Sequence, residues 1–236
     1  MLNRWVGRIA AVVVVLALGG CAVPVQKPVS LPSDFFSSGS AKSGPVGVVM
    51  MEMPAPDTQF PGAGCLLCIG VANAAHAQLT DQVKTFSVDE IKALRAEAVA
   101  LLKKKGLDAR EIAEMPKPSD FPDLPAVEGA NRSRKDYTAL GQKHGVQRLL
   151  VIRITALGVW RSYSAYVPTD VPRATVIGEV AMVQLGTHTL EWLAPIRTAR
   201  AAEGNWDEPP KFPGLTNAYY QAIESARDLV LKPLSP

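Results

Sequence analysis

Residues 149 to 155 read Leu149-Leu150-Val151-Ile152-Arg153-Ile154-Thr155, an apolar run interrupted only by one arginine before its terminal threonine. A strand with one wet face alternates apolar and polar side chains; this run does not alternate, so it fits a strand covered on both faces. Cover above and below a strand implies a layered α/β domain.

The neighbouring sequence supports that reading. Ala174 to Leu185 and Thr189 to Arg197 are two longer strand candidates, joined by the turn residues Gly186-Thr187-His188. In the first of them Val176, Gly178, Val180 and Met182 alternate with Thr175, Ile177, Glu179 and Ala181, which predicts a second, more exposed face. A helix is expected over about 215 to 231, with Tyr219, Ile223, Ala226 and Val230 on one stripe.

Upstream, Val46 to Met53 is a short apolar run closed by Pro54 and Pro56, the flanks of a buried strand. Ser87-Val88-Asp89-Glu90 puts a hydroxyl and a carboxylate three residues apart, the spacing of a capping box. The helix it opens carries Ile91, Leu94, Ala98, Leu101 and Leu102 at three- and four-residue steps and closes with Lys103-Lys104-Lys105 before Gly106. Those lysines suit the negative end of a helix better than a binding patch. Leu107 to Ile112 reads as a further strand, Met115 to Asn131 as a proline-rich loop, and Ser133 to His144 as a helix stopped by Gly145. The order is β-α-β-α-β-β-β-α: one α/β domain of two or three layers around a mixed sheet.

The amino terminus has a different plan. Arg4 and Arg8 precede an unbroken apolar run from Ile9 to Leu18, followed by Gly19, Gly20 and Cys21. Ten apolar residues are about half of the roughly 20 that a membrane-crossing helix needs, so the segment reads as a secretory signal over residues 1 to 20. Leu18-Gly19-Gly20-Cys21 resembles the bacterial lipobox, in which the cysteine takes a thioether-linked diacylglycerol and becomes the first residue after cleavage. Membrane lipid is thus one expected partner. Ala22 follows the cysteine where Asp favours inner-membrane retention in Gram-negative lipoproteins, which implies an outer-membrane protein facing the periplasm. Residues 21 to 45, with Pro24, Pro28, Pro32, Pro45 and Ser37-Ser38-Gly39-Ser40, read as a flexible lipidated tether, leaving 46 to 236 as the folded domain.

Element order and lipobox together resemble the periplasmic lipoproteins built like the TolB amino-terminal domain, such as the curli secretion lipoprotein. Small proteobacterial lipoproteins share the texture of Val146 to Ala201, where an LLVIRITALG strand leads to the VAMVQLGTHTLEW hairpin. The resemblance implies a non-enzymatic scaffold or accessory subunit of an envelope assembly or secretion system, often oligomeric, with itself or an envelope protein as partner.

Composition narrows the rest. The chain of 236 residues carries a formal charge of +3, which falls to about +1 once Arg4 and Arg8 are removed, so no basic field draws nucleic acid. No GxSxG elbow, phosphate-binding glycine loop or HExxH pair is present, and His76, His144 and His188 stand far apart. An enzyme, a resident metal and a cofactor are accordingly not expected.

Two inserts depart from the simple pattern. The first holds Cys65-Leu66-Leu67-Cys68 within a glycine- and alanine-rich stretch. The pair suits a disulfide in an oxidising compartment; the alternative is an envelope thiol-redox or metal-handling protein, with His76, Met50, Met51 and Met53 nearby in sequence. The second insert, Ala202 to Gly214, carries Trp206 and Phe212 on a proline-stiffened loop. They are candidates for a contact surface, or for a plug at the end of the core.

Overall fold

The computed structural model describes residues 26–37, 44–127, 131–208 and 211–235. The signal segment and Cys21 therefore lie outside the described residues.

The frame is a mixed sheet. β1 (Val46–Met50), β2 (Asp57–Gln59), β3 (Ala109–Ile112), β4 (Arg148–Trp160), β7 (Arg173–Gln184) and β8 (Thr189–Ala201) make it, with β5 (Tyr163–Ser164) and β6 (Val167–Pro168) forming a separate small hairpin. Strand order is β3-β1-β4-β7-β8. β1 runs parallel to both β3 and β4, whereas β4, β7 and β8 form an antiparallel meander. The run that begins at Leu149 is thus the central strand, and Leu149, Leu150, Ile152 and Ile154 are essentially without exposed surface.

Each face of the sheet has its own core. Val48, Met50, Leu150, Ile152, Val180, Met182 and Ile196 pack beneath α3 (Asp89–Lys104) and α5 (Pro213–Leu231). On α5 the stripe Tyr219, Ile223, Ala226 and Val230 is fully buried, as its spacing predicts. The opposite face buries Val49, Met51, Leu149, Val151, Ala181 and Val183 under Leu140 of α4 (Thr138–His144) and Phe121 of the loop before it. The predicted exposed face of β7 is thus largely covered, because Thr175 and Ala181 are buried and only its middle is partly open.

Local chemistry shifts several boundaries. The expected capping box does not form: Ser87 Oγ accepts from the Asp89 amide, one residue earlier in the helix than the box requires, and donates to the Asp89 carboxylate. The helix expected from Ser133 starts at Thr138. Ser133 Oγ bonds Lys135 and residue 132 bridges Thr189, so residues 132 to 137 stay outside the helix, which begins where Asp136 Oδ1 accepts from the Thr138 amide. Those bonds hold the Asp136 carboxyl below its usual range, chiefly through Thr138. Gly145 ends α4 in the left-handed conformation at φ 61°, where a side chain would be strained.

Of the segment expected as a tether over 21 to 45, the described residues 26–37 pack on the domain. Val29 exchanges both backbone hydrogen bonds with Leu193 on the free edge of β8, and Gln26 donates to the Arg132 carbonyl. Phe35 is buried in the core beneath α3 and α5. Apolar side chains among the prolines supply what the proline count alone hides: Val29, Leu31, Phe35 and Phe36 offer enough surface to dock.

Candidate interaction surface and disulfide

The first insert folds. Between Asp57 and Asp81 no residue carries a fixed charge, and this segment forms α1 (Leu66–Ala75) and opens α2 (Ala77–Lys84). α2 turns Leu79 and Val83 into the main core. α1 behaves differently, burying only Cys68 and Ala72. Leu66 is 92% exposed and Leu67 66%, with Ile69 and Val71 also open to solvent. Tyr166 and Val167 on the β5–β6 hairpin are exposed as well, so an apolar helix and hairpin stand together at the end of β4. Scattered exposed apolar residues are ordinary; a cluster of uncharged ones on one helix is a candidate contact surface.

A small core holds that surface in place. Ala63, Cys68, Ala72 and Tyr163 are buried together, with Phe60 packed against them. Gly62 allows the approach: it sits at φ 90°, and a side chain there would collide with the Tyr163 carbonyl. At the far end of α1, His76 Nε2 lies 2.7 Å from the Tyr163 hydroxyl and 2.9 Å from Arg161 Nη1. Arg161 can only donate, so Nε2 accepts and the ring proton sits on Nδ1. Burial, with the Arg161 charge behind it, holds the His76 pKa below its ordinary value. Phe60 stacks on the ring at 5.4 Å.

Cys65 and Cys68 are joined by a disulfide, with 5.0 Å between their Cα atoms. Cys65 is the N-cap of α1, and its sulfur accepts a hydrogen bond from the Cys68 amide at 2.9 Å. The Tyr166 hydroxyl is 3.8 Å from the same sulfur. Cys65 is exposed whereas Cys68 is buried. In this form neither sulfur is a thiolate, the species a metal would require, and His76 is engaged by Arg161 and Tyr163.

The second insert corrects the expected contact surface. Phe212 is 6% exposed and belongs to the core beneath α5, so it plugs the sheet's end and presents no contact. Its backbone is left-handed at φ 46°, immediately before Pro213 opens the helix. Trp206 is half-buried against the same core, with the Arg161 guanidinium 5.0 Å over its ring. His144 lies at the end of α4, 2.7 Å from Glu114, and His188 lies at the β7–β8 turn with φ 58°. A cavity of about 270 Å³ opens on the α4 side of the sheet, lined by Gln26, Tyr137, Arg153 and Glu179 among others. Arg153 and Glu179, register partners on β4 and β7, pair at 2.9 Å in its lining, and burial raises the Tyr137 hydroxyl pKa to about 12.

The sequence singled out Cys65, Cys68, Trp206 and Phe212, and the fold brings Trp206 toward the insert through Arg161. It did not single out Tyr163, Arg161 or the hairpin residues Tyr166 and Val167 as partners of α1. The charge-free interval from 58 to 80 was the available signal.

No family profile matches the chain, and no curated protein does. Among solved structures, it is similar to a dodecamer of a PelC variant from Paraburkholderia phytofirmans, at 12% identity and a TM-score of 0.33, over 89% of this chain and 96% of that one. It is also similar to lipoprotein GNA1162 from Neisseria meningitidis, at 17% identity and a TM-score of 0.27, over 76% of this chain and 94% of that one. The mixed α/β architecture stands on the strand pairing described above. Among the described residues no helix is long and apolar enough to cross a membrane.

Proposed function

We propose that the protein is an outer-membrane lipoprotein, anchored through acylated Cys21 and facing the periplasm, that acts as a non-enzymatic scaffold or accessory subunit of an envelope assembly or secretion system. The observation that carries the reading is Leu18-Gly19-Gly20-Cys21 behind a ten-residue apolar run. Only a thiol can take the thioether-linked lipid, and two or more acyl chains give stable membrane attachment. An accessory subunit acts by contact, and the uncharged exposed face of α1 supports that reading.

Metabolic labelling with a fatty acid, followed by membrane fractionation, tests the anchor. Wild-type protein is expected in the outer-membrane fraction with label, and Cys21→Ser without label and outside it. Equal partitioning of the two would overturn the reading. Crosslinking in the native envelope then tests the accessory role, which predicts discrete products of fixed composition.

A further inference from the structure

The two sulfurs of the first insert are not equivalent. Cys65 is exposed, caps the first turn of α1 and receives the Cys68 N–H; Cys68 lies beneath it, in the small core with Tyr163. Leu66 and Leu67, the two residues between them, face solvent, and Tyr166 and Val167 stand on the neighbouring hairpin, with the Tyr166 hydroxyl 3.8 Å from the Cys65 sulfur. A disulfide serving only to staple has no need of an accessible sulfur inside an uncharged apolar collar. Access and thiolate stabilisation are, by contrast, what exchange requires.

We propose that Cys65–Cys68 is an exchangeable disulfide that oxidises a dithiol presented on an apolar polypeptide segment. A donor thiolate attacks the Cys65 sulfur, forming a mixed disulfide; the Cys65–Cys68 bond breaks and its electron pair leaves on Cys68, which takes a proton from water. The donor's second thiol, deprotonated to solvent, attacks the donor sulfur of the mixed disulfide and expels Cys65 as a thiolate. The Cys68 amide and the amino-terminal end of α1 then stabilise that thiolate. One donor disulfide is made and one protein disulfide becomes two thiols. The collar of Leu66, Leu67, Tyr166 and Val167 receives the apolar donor. The exchange is stoichiometric, one donor dithiol per protein disulfide, so it adds to the accessory role without turnover, and it does not depend on membrane anchorage.

The test uses the full chain in detergent with dithiothreitol as donor, and peptide mass mapping to distinguish Cys65 and Cys68 from Cys21. Reduction is expected while circular dichroism still reports the native fold. In the reduced protein, iodoacetamide should label Cys65 at least roughly tenfold faster than Cys68, with a half-point below the ordinary thiol value of about 8.5. Cys68→Ser should accumulate a mixed disulfide with oxidised glutathione on Cys65, while Cys65→Ser gives little on Cys68. A short apolar peptide carrying two thiols should react faster than dithiothreitol with wild type, and Leu67→Glu should erase that advantage. A disulfide that resists dithiothreitol until the protein unfolds overturns the proposal, as does preferential labelling of Cys68. No advantage for the apolar peptide overturns the assignment of the donor class.

Discussion

His76 and Tyr163, 87 positions apart in sequence, meet with 2.7 Å between Nε2 and the phenol oxygen. That contact ties the end of α1 to the hairpin beyond β4. It also fixes the charge state of the ring, since an Nε2 that accepts from Arg161 cannot itself carry a proton.

Stability should therefore depend on pH through His76. The folded protein lowers this pKa, so the unfolded chain takes up the proton more readily. The contribution is intact above the ordinary value of 6.5 and is lost as pH falls through 6.5 towards the lower folded value. Urea unfolding at pH 7.5 and 5.5 should show a drop in wild type that is smaller in His76→Gln. Equal drops in both proteins would exclude His76 as the source.

Phe212 should behave as a core residue. Phe212→Ala removes a buried ring and is expected to cost about 3 kcal/mol or more, read as a fall in Tm. Leu66→Ser/Leu67→Ser should leave Tm nearly unchanged, since both side chains already face water, and should reduce crosslinked products in the envelope. The opposite pattern would return the contact surface to the second insert.

Tyr219 is the largest fully buried side chain among the described residues, and its hydroxyl donates to the Ser87 carbonyl at 2.9 Å, linking α5 to the start of α3. Burial raises its pKa well above the ordinary tyrosine value, keeping the hydroxyl neutral and able to donate. Tyr219→Phe should cost about 1 kcal/mol in denaturant unfolding. A neutral effect would mean that the carbonyl finds another partner.

Arg148 and Glu191 form a pair at the start of β4 and β8, with Nε 2.8 and 3.1 Å from the two carboxylate oxygens and the arginine side chain only 5% exposed. Glu191→Ala strands a buried cation and should cost about 3 kcal/mol. Arg148→Met/Glu191→Leu removes both charges and should recover much of that loss. A double variant no more stable than Glu191→Ala would show that Arg148 contributes by packing instead.

Removing the Cys65–Cys68 bond should have a modest effect. So short a closed loop restricts the unfolded chain by about 2 kcal/mol at most, and Cys65→Ser/Cys68→Ser should lower Tm accordingly. A much larger loss would mean that the small core around Tyr163 depends on the bond.

The frame was legible because period and length are local. Five apolar side chains among seven residues at Leu149 marked the central strand, and Tyr219, Ile223, Ala226 and Val230 marked the helix above it. What escaped depended on distant partners. Ser133 joins no helix because its hydroxyl and the Thr189 bridge engage the local backbone otherwise, and Val29 docks because Leu193 lies on an open sheet edge. At the candidate surface, the cysteine pair was visible in sequence, whereas Tyr166 reaches Cys65 across 101 positions.

With Cys21 acylated as proposed above, the pairing of Val29 with Leu193 changes how one copy meets its neighbours. Only four residues lie between Cys21 and Gln26, five chain steps with a contour of at most about 18 Å, where a leash reaching Pro45 would allow several times that length. An acyl chain on Cys21 would confine the domain to a layer scarcely thicker than itself. Encounters between copies, or with another membrane-bound protein, then become lateral collisions in two dimensions. At equal copy number their effective concentration far exceeds that in free solution, so contacts too weak to detect with the detached domain can still be occupied at the membrane.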